Sequence, residues 1–126
     1  PDIRISDVGF FRANDNYINV QVFTAGTLAL DLQIHENICL NGPCFDKLSF
    51  NRRFLKDEHY PMIMEEILRG KPIYEKRGLK MTEDGFEQRL HVKAREILYS
   101  VNSIEIIYRD KANHVLIKIK KLKGNG

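Results

Sequence analysis

The sequence predicts a mostly-β domain, an antiparallel β-sandwich or partial barrel with one short inserted helical segment. Three observations predict it. Apolar and polar residues alternate at period two in six separate stretches. Turn-forming residues separate these stretches with little between them, which suits antiparallel meanders. Only one stretch, from about Pro61 to Arg69, combines helical spacing with a stop signal.

Taken in order, Ile3-Arg4-Ile5 and Gly9-Phe10-Phe11 suggest a short first strand or two, and Asn14-Asp15-Asn16 is a turn cluster. Tyr17 to Thr24 places Ile18, Val20 and Val22 on one face of a strand. Leu28, Leu30, Leu32 and Ile34 form the next, with Ala25-Gly26 joining the two as a hairpin. Phe45 to Leu55 is amphipathic but short, one or two helical turns. In the main helix Pro61 suits the first turn, where its missing N–H costs nothing. Ile63, Met64, Ile67 and Leu68 share a face, and Gly70 with Pro72 ends it. Strands then return. Leu79-Lys80-Met81 precedes a turn at Glu83-Asp84-Gly85. Phe86, Gln88, Leu90 and Val92 share a face, as do Ile97, Tyr99 and Val101. Ile104, Ile106 and Tyr108 follow a turn at Asn102-Ser103, and Val115, Ile117 and Ile119 close the set.

The 126 residues are 43% apolar and 29% charged, an ordinary mix for one globular domain spanning residues 1–126. No run approaches the roughly 18–20 apolar residues that span a bilayer. The chain starts at Pro1 without a methionine, so it is expected to be the mature or trimmed part of a longer precursor, whose N-terminus has room for any targeting signal. Residues 1–60 carry 6 Lys/Arg against 8 Asp/Glu, and residues 61–126 carry 14 against 9. This bias favours anionic partners, but it falls short of the stripe a nucleic-acid binder needs, and no nucleic acid is expected as partner.

Cys39 and Cys44 are the only cysteines, flanking the strong turn Asn41-Gly42-Pro43. The turn brings the sulfurs close, which favours a structural disulfide; a free buried pair is the alternative. Redox chemistry of the thioredoxin kind needs C-x-x-C beside a helix N-terminus, and that spacing is absent. Zinc needs two close ligand pairs. His35, His59, His91 and His114 stand singly, so no metal is expected. No nucleophile elbow, zinc-protease helix or phosphate loop is present. Glu65-Glu66 and Glu83-Asp84 are adjacent carboxylates that cannot converge on one atom. The expectation is therefore a protein without catalytic residues or cofactor. Two groups are candidate binding residues. Lys118, Lys120 and Lys121, with Lys123, crowd the C-terminus as the solvent face of an edge strand or as an attraction to anionic lipid. Phe45, Phe50 and Phe54, with Tyr60, surround the short helical stretch, as core or as an exposed patch.

The stretch C-L-N-G-P-C-F-D-K-L-S-F-N-R-R-F-L, then Tyr60-Pro61 and I-L-R-G-K-P-I at Ile67 to Ile73, resembles small lipoproteins of Campylobacter and Helicobacter. The segments D-G-F-E-Q-R-L and I-Y-R-D-K-A-N-H-V-L-I-K-I look like the same family's C-terminal strands, so the resemblance runs from about Ile34 to Ile119. It implies a variant immunoglobulin-like sandwich and export to the periplasm or cell surface, where a Cys39–Cys44 disulfide is permitted. It also implies a membrane tether through a lipidated cysteine upstream of this chain. It offers no catalytic residues. The function expected is binding of an envelope or host component. A carrier of a small apolar ligand or lipid, and a cytosolic nucleic-acid or regulatory module, are the alternatives.

Overall fold

A period-two pattern becomes a strand wherever a turn can reverse the chain, and here most of the predicted strands form. The computed structural model describes residues 3–5 and 9–121. Its contacts divide the chain into two compact units, with the boundary inside a short helix at Glu65/Glu66. Strand β1 (Ile3–Ile5) belongs to the unit that includes residues 66–121.

The other unit carries a five-stranded antiparallel sheet in the order β2-β3-β4-β5-β6. Its strands are β2 (Gly9–Asn14), β3 (Tyr17–Thr24), β4 (Thr27–Ile34), β5 (Ile38–Leu40) and β6 (Cys44–Phe45). Ile18, Val20 and Val22 are buried on one face, as the alternation predicts. On β4 the burial is graded: Leu32 and Ile34 are buried, Leu30 is half-buried and Leu28 is exposed. The exposed residue lies nearest the Ala25-Gly26 loop, beyond a register shift between Val22 and Phe23. The predicted helical turns are α1 (Lys47–Phe50) followed by one wider π turn, Asn51–Leu55. Asp46 caps α1 by accepting from Ser49 N at 2.9 Å and Ser49 Oγ at 2.8 Å. The buried Asn51 amide donates to Glu58 O at 2.8 Å and Tyr60 O at 3.0 Å, tying the loop after the π turn back onto it.

Helix α2 (Ile63–Leu68) is shorter than predicted. Pro61 and Met62 form the turn before it, so the proline precedes the helix rather than opening it. The predicted stop is present. Gly70 has φ +67°, its N–H donates to Ile67 O, and Lys71 N–H donates to Glu66 O. These two bonds are the Schellman pattern, which needs a left-handed residue where only glycine is unstrained.

The second sheet has the order β1-β11-β10-β9-β8-β7. It contains β7 (Leu79–Met81), β8 (Phe86–Val92), β9 (Arg95–Val101), β10 (Glu105–Asp110) and β11 (Val115–Lys120). The five last-named strands are antiparallel. β1 joins β11 in parallel, pairing Ile3 with Ile117 and Ile5 with Ile119. This corrects the expectation that the lysine-bearing last strand lies at an edge: the N-terminal segment occupies the side that would have been free. Ile104 is also not in a strand. It is exposed in the turn, and β10 starts one residue later.

One face of this sheet buries Leu90, Ile97, Tyr99, Val101, Ile106, Tyr108, Val115 and Ile117. Segment 71–77 lies over it, held by side-chain hydrogen bonds in place of a strand ladder. Gln88, 2% exposed, accepts from Ile73 N at 2.8 Å and donates to Ile73 O at 2.8 Å and Arg77 O at 2.7 Å. The Tyr99 hydroxyl donates to Lys71 O at 2.7 Å. Burial, with the Glu66 charge as a smaller cause, pushes that phenol far above its usual range, so it stays a donor. Gly85 closes the β7–β8 turn so near the next hairpin that a Cβ there would overlap the Val101 carbonyl oxygen.

Two tight hairpins place non-glycine residues at positive φ. The β3–β4 loop is Ala25 (φ 50°) and Gly26 (φ 80°), and the β8–β9 loop is Lys93 (φ 50°) and Ala94 (φ 64°). Both match two-residue loops of the I′ kind, which suit strand twist but strain L-residues. Ala94→Gly is therefore expected to raise stability by about 1 kcal/mol in urea unfolding, despite glycine's freedom in the unfolded chain. Gln88→Leu puts an apolar side chain of similar size in the buried face but orphans three backbone groups. It is expected to cost about 3 kcal/mol in the same measurement, and a loss below 1 kcal/mol would show that segment 71–77 is held by other means.

Candidate functional site

Three strands of the second sheet carry uninterrupted apolar triplets: Ile97-Leu98-Tyr99, Ile106-Ile107-Tyr108 and Val115-Leu116-Ile117. The flanking residues of each triplet are buried. Alternation therefore turns the middle residues, Leu98, Ile107 and Leu116, to the opposite face, where each is half-buried. Cationic side chains surround them. The register sets Arg89, Leu98, Arg109 and Leu116 in one row across the strands. The adjoining row is Lys80, Glu87, Ser100, Ile107 and Lys118.

The result is a groove of about 500 Å³, half open to solvent. Its floor is Leu98, Ser100 and Ile107, and its cations are Lys80, Arg89 and Arg109, with Glu87 the one carboxylate. The volume falls in the span of roughly 300–1,000 Å³ typical of small-molecule sites. Arg89 lies 3.9 Å from Glu96, and both are largely exposed, so solvent weakens the pair. Arg109 and Lys80 have no carboxylate partner among the described residues. The one cation of β9 differs: Arg95 is bound to the fully buried Asp110 by Nε at 3.1 Å and Nη2 at 3.1 Å. Asn113 also donates its amide to Asp110 at 3.0 Å. That pair ties β9 to β10 at their hairpin-distant ends and faces away from the groove, on the buried side.

The structure disperses the residues singled out from sequence. Cys39 and Cys44 form a disulfide. They stand directly opposite each other on β5 and β6, with Cα atoms 3.9 Å apart, closer than usual. The phenylalanines do come together. Ring centroids are 4.6 Å apart for Phe50–Phe54 and 5.7 Å for Phe45–Phe54, and Phe50 is fully buried. The Arg53 guanidinium lies 5.6–5.8 Å from the Phe54 and Phe45 centroids, covering the two half-buried rings. Tyr60 is half-buried after the π turn and contributes its carbonyl to Asn51. The lysines are spread out. Lys118 lies opposite Ile107, 3.9 Å from Glu105; Lys120 is exposed; Lys121 Nζ donates to Asn102 O at 2.8 Å. Lys123 lies outside the described residues. His114 sits in the turn before β11, at φ 57°, rather than on a strand.

Sequence reasoning therefore missed the groove, although the triplets were its signal: an apolar residue between two apolar neighbours has nowhere to go but the second face. Among the described residues no three His, Cys, Asp or Glu side chains converge to hold a metal ion, and no helix is long and apolar enough to cross a membrane. No family model matches the chain, and no curated protein or solved structure does either.

Near the groove's end of the sheet, the β7–β8 turn is pinned by Asp84, which accepts from Ser103 Oγ at 2.7 Å and Ser103 N at 3.3 Å. Those bonds, the hydroxyl first, hold its carboxyl below the ordinary 3.8. The backbone N–H of Ser49, then its hydroxyl, does the same for Asp46. A lowered folded pKa means stability that is fully present above 3.8 and is lost as pH falls through the folded value. Asp84→Asn is therefore expected to be less stable than wild type at neutral pH, with the gap closing on acidification below 3.8. A gap that stays constant across that range would show that the carboxylate's charge contributes nothing.

Proposed function

We propose that the protein is a non-catalytic, lipid-anchored cell-envelope protein of the small epsilon-proteobacterial lipoprotein kind, acting by binding an envelope or host component. The disulfide between Cys39 and Cys44 carries this reading. Such bonds persist in the periplasm and at cell surfaces and are rare in a reducing cytosol. The lipoprotein-like motifs cluster around the same residues, from the C-L-N-G-P-C loop to Ile73. The fold that accompanies the reading is a variant immunoglobulin-like sandwich, which the two largely antiparallel sheets support. Binding rather than carriage within a closed cavity suits a groove that is open along one side.

The test is the intact mass of the full-length protein from its native cells, before and after reduction with alkylation. A diacyl or triacyl adduct on a cysteine upstream of this chain, with no free thiol until reduction, is the expected result. An unmodified N-terminus with both thiols free would overturn the envelope assignment and favour a cytosolic role.

A further inference from the structure

The groove on the second sheet has a chemistry that narrows what it can hold. Leu98 sits between Arg89 and Arg109 in one row of cross-strand neighbours. Strands about 4.8 Å apart put the two arginine Cα atoms roughly 10 Å from each other. Side chains of that length are long enough to meet one ligand head above Leu98, and both arginines line the groove. Beside that point the floor continues as Ser100 and Ile107. Three cations, Lys80, Arg89 and Arg109, stand against two carboxylates: Glu87, which faces Lys80 across β7 and β8, and Glu96 beyond the groove, 3.9 Å from Arg89. The groove is therefore electropositive at its arginine row and apolar along Leu98 and Ile107.

We infer that this groove binds a small single-chain amphiphile with an anionic head, a carboxylate or phosphate gripped between Arg89 and Arg109, its chain lying over Leu98 and Ile107. A guanidinium suits such a head because its planar donors meet two oxygens at once. Leu98 and Ile107 give the groove an apolar floor on the outward face of the sheet, where both are half-buried. A free molecule matches the size of a groove of about 500 Å³, and the vesicles below separate it from a membrane surface. The inference deepens the binding half of the function proposed above and is independent of the lipid anchor.

The experiment is a titration of the isotope-labelled chain with decyl phosphate below its micelle concentration, followed by amide shifts and calorimetry. Decyl glucoside supplies the same chain without the charge, inorganic phosphate supplies the head without the chain, and anionic phospholipid vesicles supply the head on a membrane. Saturable decyl phosphate binding is expected, with shifts centred on Leu98, Ser100, Ile107 and Arg109. Decyl glucoside and phosphate should each bind at least about tenfold more weakly. Arg109→Gln, an exposed substitution checked for folding by its spectrum, should weaken binding about tenfold, the loss of one charge-assisted contact. Glu87→Gln should tighten it. Equal affinity for decyl phosphate and decyl glucoside with Arg109→Gln silent, shifts centred elsewhere, or binding to vesicles alone would each overturn the inference. Failure here with an acylated, disulfide-bonded native protein would leave the envelope reading standing. Success with an unmodified, reduced native protein would leave the groove standing without it.

Discussion

Much of the second sheet depends on the carboxamide of Gln88. A sheet with one apolar face needs a cover, and around Gln88 and Tyr99 part of it is segment 71–77, which contains only a single short turn of helix. Irregular backbone placed over an apolar face leaves N–H and C=O groups that must find partners. Gln88 supplies both complements from one side chain, taking the Ile73 N–H and answering the carbonyls of Ile73 and Arg77. The Tyr99 hydroxyl answers a third carbonyl, that of Lys71. With those groups satisfied, the segment can stay irregular, and the strands behind it are free to keep their second face toward solvent.

That second face is where the sheet becomes more than a scaffold. Antiparallel sheets commonly bury one side and solvate the other. Here the solvated side interrupts its charges with Leu98, Ile107 and Leu116, and the register sets arginines beside them. The excess of positive charge in residues 61–126 is not uniformly spread in its consequences. Arg95 is consumed by Asp110, Arg89 is partly answered by Glu96, and Lys118 by Glu105. Among the described residues, Arg109 stands beside an apolar floor with no such answer.

The other unit solves its problems with covalent and local means. Strands β5 and β6 have only three and two residues, too few for a ladder to hold alone, and the disulfide joins them where the pairing is weakest. Asp46, Asn51 and the Lys47–Glu65 pair, 2.6 Å apart, then organise the turns that follow. The aromatic cluster packs against these turns, and Arg53 covers its half-buried rings, so the residues most suggestive of a binding patch in the sequence are largely committed to structure.

The sequence by itself determined the elements whose signals are local. Period two placed Ile18, Val20, Val22, Ile97, Tyr99 and Ile106 on buried faces; Gly70 ended α2; the C-L-N-G-P-C loop brought its two sulfurs within bonding reach. These follow from φ/ψ preference and side-chain alternation, which act within a few residues. Only the tertiary structure decided which strands are edges, because β1 pairs with β11 across more than a hundred positions and no local pattern encodes that partner. It decided, too, that the candidate binding residues fall in several places. The groove arises between strands rather than within them: the triplets mark Leu98 and Ile107 as outward apolar residues, but only register sets them beside each other and beside Arg89 and Arg109.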